Sequence, residues 1–176
     1  MSKRTAKLFS LLWLLLLCSQ ARTAQSQTTI FVTRHADRYG TEPDPALTPK
    51  GEDQARVLAH LLVDANVKHI FTTELIRTQQ TAAPLARQTG IFPIVVSQEK
   101  FDELITKIRN AIKPNESILV VGHRATVPRI VRALTHKEIP PLGSSEYGRL
   151  IAITLFEDGR SSIVTLQYAS RDSSPK

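Results

Sequence analysis

Thr28-Thr29-Ile30-Phe31-Val32-Thr33 runs straight into Arg34-His35-Ala36-Asp37-Arg38, and Ser117-Ile118-Leu119-Val120-Val121 runs straight into Gly122-His123-Arg124. Each opening run is short and β-branched or aliphatic, the pattern of a strand buried on both faces. Each stops abruptly at a polar segment whose side chains carry chemistry.

Reading outward from these two strands, Thr48 and Pro49 form an N-cap with proline at the first helical position. Ala55, Leu58, Ala59 and Leu62 then recur at helical spacing. A second strand is expected at about Lys68 to Thr73, and a helix from near Glu74 to Thr89 that Gly90 terminates and Pro84 kinks or breaks. A third strand (Ile91 to Val96) and a helix (about Phe101 to Ile112) lead to the strand at Ser117. Val127, Ile130, Val131 and Leu134 mark the inner face of the next helix. Leu150 to Phe156 and Ser161 to Gln167 flank Asp158-Gly159 as a hairpin. Strands alternating with helices predict an α/β three-layer sandwich, its mainly parallel sheet flanked by helices on both faces, with a C-terminal antiparallel hairpin at one edge.

At 176 residues, with 41% apolar and 22% charged, the chain has room for one domain of ordinary size and excludes the disordered, collagenous and multi-spanning classes. The first 21 residues read as a secretory signal: Lys3, Arg4 and Lys7, an apolar run from Leu8 to Leu17 broken by Ser10, then Ser19-Gln20-Ala21. A membrane span needs roughly 20 apolar residues and this run stops short at Ser19, Gln20 and Arg22, which leaves a retained anchor as the alternative to cleavage. The expected organisation is signal peptide 1–21, polar linker 22–27, domain 28–169 and tail 170–176, with export to a periplasmic or extracellular location. Cys18, Trp13 and Met1, the only residues of their types, all lie in the signal segment. Cleavage leaves a chain without cysteine, which excludes disulfides, thiol nucleophiles and thiolate metal sites.

The net charge of +7 shrinks on cleavage: removing three of the 23 Lys and Arg and none of the 16 Asp and Glu leaves +4. That balance and the scattered aromatics argue against a nucleic-acid partner. Membrane contact is not expected after signal cleavage, and the Lys/Arg helix from Arg124 to Lys137 reads as a solvated face.

In an open α/β sheet the ligand lies beyond the carboxyl ends of the strands. There the predicted topology gathers Arg34, His35, Arg77, at the start of the helix after strand two, and His123. Guanidinium forks bind phosphoryl oxygens two at a time, and a neutral imidazole is a good nucleophile toward phosphorus. The start of the helix after strand two adds backbone N–H groups and a positive dipole end.

With these residues the sequence resembles the histidine phosphatase superfamily, the phosphoglycerate mutase-like fold. Thr33-Arg34-His35-Ala36 is similar to its Arg-His-Gly signature with Ala for Gly, and Leu47-Thr48-Pro49-Lys50-Gly51 to its Leu-Thr-x-x-Gly segment. Arg77 to Ala82 resembles its Arg-x-x-x-Thr-Ala helix, and Val120-Val121-Gly122-His123 its second histidine. The resemblance implies a phosphohistidine on His35, with Arg34, Arg77 and His123 holding the transferring group. It implies neither metal nor other cofactor, and the sequence offers no convincing His/carboxylate ligand cluster.

Two positions suit the general acid: Asp37, which corresponds to an acidic position in small bacterial members and is preferred, and Glu103, where the mutase-like branch supplies a glutamate. Arg124 excludes the branch with Asp directly after the second histidine. Arg38 either widens the anion site or sits exposed in its loop, and Arg124 either touches substrate or faces solvent. His60, His69 and His136 belong to no motif and read as surface or helix-end residues. The expectation is a metal-independent phosphohydrolase whose open site suits a phosphate on a large or envelope-associated partner. A non-catalytic phosphate-binding module and a phosphomutase are the alternatives.

Overall fold

The computed structural model describes residues 26–40 and 42–169. The expected signal segment, most of the linker and the tail lie outside the described residues. Six strands form one sheet: β1 (Gln27–Arg34), β2 (Val67–Thr72), β3 (Ile94–Val95), β4 (Ser117–Gly122), β5 (Arg149–Phe156) and β6 (Ser161–Gln167), in the order β3-β2-β4-β1-β5-β6. The first four are parallel, whereas β5 runs antiparallel to β1 and β6 antiparallel to β5. Helices α1 (Pro49–Leu62), α2 (Ile76–Thr89), α3 (Phe101–Asn110) and α4 (Thr126–Thr135) connect them. This is the three-layer α/β sandwich with an edge hairpin that the alternation predicts.

The period-two pattern of β4 shows how the layers form. Ile118 and Val120 pack with Ile105 and Ile108 of α3 and Val127 and Ile130 of α4. Leu119 and Val121 point the other way, onto Leu58 and Leu62 of α1 and Ala82 and Leu85 of α2. Burial on both faces explains the unbroken apolar run. Among the described residues no helix is long and apolar enough to cross a membrane.

Local chemistry sets the element ends. The Thr48 hydroxyl caps α1 by accepting from Gly51 N at 3.0 Å, with Pro49 in the first turn. Helix α2 ends at Gly90 in the left-handed conformation, and the break expected at Pro84 does not occur, the helix running on through it. The missing N–H and the clash of the ring with the carbonyl one turn back cost about 3 kcal/mol, and buried Thr81, Ala82 and Leu85 hold the helix to the sheet on both sides of it. Strand β3 shrinks to Ile94–Val95 from the six residues expected, because Pro93 has no N–H to give to a ladder. Gln27, expected in the linker, already opens β1.

Strand β1 leads into α1 on one face, while its neighbour β4 leads into α4 on the opposite face. The crevice beyond their carboxyl ends is the switch point of the sheet.

Candidate active site

Strand register brings the two histidines together. Arg34 of β1 pairs with Gly122 of β4, and His35 N donates to Gly122 O at 2.9 Å, so the next residue on each strand is a histidine at the same height. The rings of His35 and His123 lie 5.6 Å apart, tilted by 60°.

His35 is 3% exposed, and its Nδ1 lies 2.8 Å from Ala36 O. A carbonyl only accepts, so Nδ1 carries the proton and Nε2 keeps its lone pair. Burial, reinforced by the charge of Arg34 and by His123 and Arg77, pushes its pKa down to about 3. Burial and then Arg77 push His123 down to about 4. Its Nε2 is 3.1 Å from the Thr73 hydroxyl, which in turn meets the Thr78 hydroxyl at 3.0 Å. Both imidazoles are therefore neutral at neutral pH.

Two arginines flank the pair. Arg34 is buried, and this burial lowers its pKa. Its Nη1 donates toward Gly143 O, Ser144 O and Glu146 O at 3.2, 2.8 and 3.1 Å, and Nη2 donates to the Tyr147 hydroxyl at 3.2 Å. Arg77, in the first turn of α2, lies 3.5 Å from the Asp44 carboxylate. The Nε–H of Arg34 and that of Arg77 are both buried with no acceptor among the described residues. Such donors favour an oxyanion strongly. Arg38 and Arg124 are near enough that their charge further lowers the pKa of Arg34, and Arg38 acts likewise on Arg77. Arg38 donates to Tyr39 O and Gly40 O, and Arg124 is exposed.

The α2 N-terminus departs from expectation. Ile76 N already donates to the Asp44 carboxylate at 2.9 Å, so the chain's own anion occupies the helix end expected to bind substrate.

The two candidate acids are placed differently. The Asp37 carboxylate accepts from the Thr48 hydroxyl at 2.8 Å, Asp37 N donates to Gln54 Oε1 at 2.9 Å, and Asp37 O accepts from Thr48 N at 3.1 Å. Its charge also favours the guanidinium of Arg34. Gly51 permits this junction, since a Cβ there would sit 2.0 Å from Asp37 O. Glu103, by contrast, lies on an exposed face of α3 between Lys100 and Lys107, at 3.4 and 3.5 Å. The described contacts of neither carboxylate reach the histidines, and Asp37 alone of the two acts by its charge on Arg34.

Three neighbours escape sequence reasoning. Thr73 binds His123, and the charge of Glu74 raises the pKa of both His123 and Arg77. The position of both just past β2, at the ligand-bearing end of the sheet, is a signal that could have found them. Tyr147 lies under Arg34, its ring centroid 4.1 Å from Cζ, and 5.9 Å from the His35 ring. Among the described residues no group of three or more His, Cys, Asp or Glu is placed to hold a metal ion. The site thus offers a neutral nitrogen nucleophile, buried cationic donors and a nearby carboxylate, the elements of phosphoryl transfer through a covalent intermediate.

Residues 22–104 match the family described as the histidine phosphatase superfamily (branch 1). The fold is similar to that of the protein histidine phosphatase SixA complexed with tungstate, with a TM-score of 0.62 and 19% identity over 79% of this chain and 96% of that one. A mycobacterial glucosyl-3-phosphoglycerate phosphatase is similar with a TM-score of 0.63 and 14% identity, over 81% of this chain and all of that one (100%). Over 55 residues the chain is 47% identical to the PE-PGRS family protein PE_PGRS11 of Mycobacterium tuberculosis, a stretch that spans 31% of this chain and 9% of that protein.

Proposed function

We propose that this chain, whose residues 22–104 match the histidine phosphatase superfamily, is a phosphohydrolase acting through a phosphohistidine on His35. The His35 Nε2 lone pair attacks phosphorus, the ester P–O bond breaks, and the leaving oxygen takes a proton from Asp37. Water then attacks the phosphohistidine, returns a proton to Asp37, and frees inorganic phosphate and His35. Arg34, Arg77 and His123 hydrogen-bond the oxygens on which charge develops, and Arg38 and Arg124 add positive charge around them. Arginine supplies the charge stabilisation in this scheme, so no metal is required.

The observation that carries this reading is the His35 Nδ1–H to Ala36 carbonyl bond of 2.8 Å, which leaves Nε2 as the nucleophilic nitrogen. Protein histidine phosphatase and glucosyl-3-phosphoglycerate phosphatase, the two similar structures, are named for different substrates. For this chain we favour a phosphate on a large, envelope-associated molecule reached after export. The test is phosphate release from a chromogenic monoester by metal-free protein. Release by wild type and its loss in His35→Ala supports the reading, and equal release by both sinks it.

A further inference from the structure

We propose that Tyr147 is a positioning residue for this phosphoryl transfer, orienting Arg34 so that its Nε–H and one Nη2 hydrogen face the phosphoryl oxygens. The inference rests on the phosphohydrolase reading and assigns a task to a residue outside its motifs.

Hydrogen counting carries the argument. A guanidinium has five N–H bonds in a fixed plane. Both on Nη1 are spent on the carbonyls of Gly143, Ser144 and Glu146, and one on Nη2 goes to the Tyr147 hydroxyl. What is left is one Nη2 hydrogen and the Nε–H, which is buried without an acceptor among the described residues. Arg34 therefore has one free fork, and Tyr147 sets its direction. The Tyr147 ring also lies against the guanidinium face, 4.1 Å from Cζ, and 5.9 Å from the His35 ring. A single aromatic plane thus touches both the arginine and the nucleophile.

Tyr147 is also held by contacts that do not involve Arg34. Its carbonyl accepts from Gln167 Nε2 at 2.8 Å, and the Glu146 carboxylate binds Arg149 Nε at 2.7 Å and Gly143 N at 3.0 Å. Next in the chain, Gly148 adopts φ +75, and a Cβ there would lie 2.7 Å from Ala169 Cβ. The segment is thus anchored both to the β5–β6 hairpin and to Arg34.

The test compares wild type with Tyr147→Ala, Tyr147→Phe, Arg34→Gln and the Arg34→Gln/Tyr147→Ala double variant on a chromogenic phosphate monoester, with melting by circular dichroism as the folding control. We expect Tyr147→Ala to lower kcat/KM about tenfold, chiefly through KM, and Tyr147→Phe, which keeps the ring but gives the Nη2 hydrogen no acceptor, to recover only part of that. Added to Arg34→Gln, the alanine substitution should cost less than about twofold, since its route of action is gone. Tyr147→Leu replaces the alanine variant should the latter melt early. Wild-type kcat/KM in Tyr147→Ala, or an equal loss in both backgrounds, overturns the proposal.

Tungstate calorimetry separates the two claims. A wild type that binds tungstate without turnover, and binds it more weakly in Tyr147→Ala, keeps the orientation and discards the phosphohydrolase. A wild type that neither turns over nor binds tungstate discards both.

Discussion

His35 and His123 face each other 5.6 Å apart across the β1–β4 seam, one residue beyond the register pair of Arg34 and Gly122. Side chains alternate faces along a strand, so a slip of one residue in this pairing would send the two imidazoles to opposite sides of the sheet. The histidine pair is thus a direct product of strand register, which the apolar residues on both faces of β1 and β4 enforce.

Burial of this pair predicts acid sensitivity. The folded-state values of about 3 for His35 and about 4 for His123 lie below the 6.5 of free histidine. Above pH 6.5 neither the folded nor the unfolded chain holds these protons, and the full stability is present. As pH falls below that value the unfolded chain takes up protons that the folded chain refuses. Stability is then lost at up to about 1.4 kcal/mol per pH unit per histidine, until each folded-state value is reached. Urea unfolding across this range should show the slope, and His35→Asn should make it shallower.

The α1 junction predicts a severe effect of a single methyl group. In Gly51→Ala the new Cβ meets a backbone oxygen, Asp37 O, at 2.0 Å, and neither helix nor loop can yield by a side-chain rotation. We expect destabilisation of about 1–3 kcal/mol, with a loss of activity from displacement of Asp37. Thr48→Ala, which removes the cap but adds no bulk, should cost only about 1 kcal/mol. Thermal melts and turnover of the two variants test the order.

The carboxylates should separate by leaving group. Asp37→Asn should slow hydrolysis of an alkyl phosphate about a hundredfold or more, and an aryl phosphate less, because a good leaving group needs less protonation. Glu103→Gln should change either rate by less than about twofold, as expected of an exposed residue among lysines. Reversal of this order assigns the proton to Glu103.

Anion binding should report the unpartnered guanidinium hydrogens. Inorganic phosphate or tungstate at a hundred times its dissociation constant should raise stability by about 2.7 kcal/mol. Arg77→Gln should weaken that binding about tenfold, whereas His35→Ala should retain most of it. A chelator should leave wild-type turnover unchanged. Thermal shifts and rates with and without chelator give the answer.

Much of this is legible in the chain because it is local. Periodicity marks α1 and α4, strand composition marks β1 and β4, and the abrupt endings at Arg34-His35 and Gly122-His123 mark the site. What is not legible arrives from afar. Asp44 occupies the α2 N-terminus from 32 residues upstream, and Tyr147 reaches Arg34 across 113 residues through an irregular loop without a periodic pattern. Pro84 reads as a breaker because its cost is local, while the sheet contacts that hold α2 together are tertiary.

The proposed mechanism turns on a covalent phosphoryl group on His35, which rapid-quench trapping would detect. Metal-free protein would be mixed with substrate and quenched in alkali, which preserves the P–N bond that acid cleaves, and the peptides analysed by mass. Wild type should carry one phosphoryl group on the peptide containing His35, absent from His35→Ala and accumulating in variants slow in the water step. Turnover by wild type with no phosphoryl group on His35 at any quench time would contradict the mechanism.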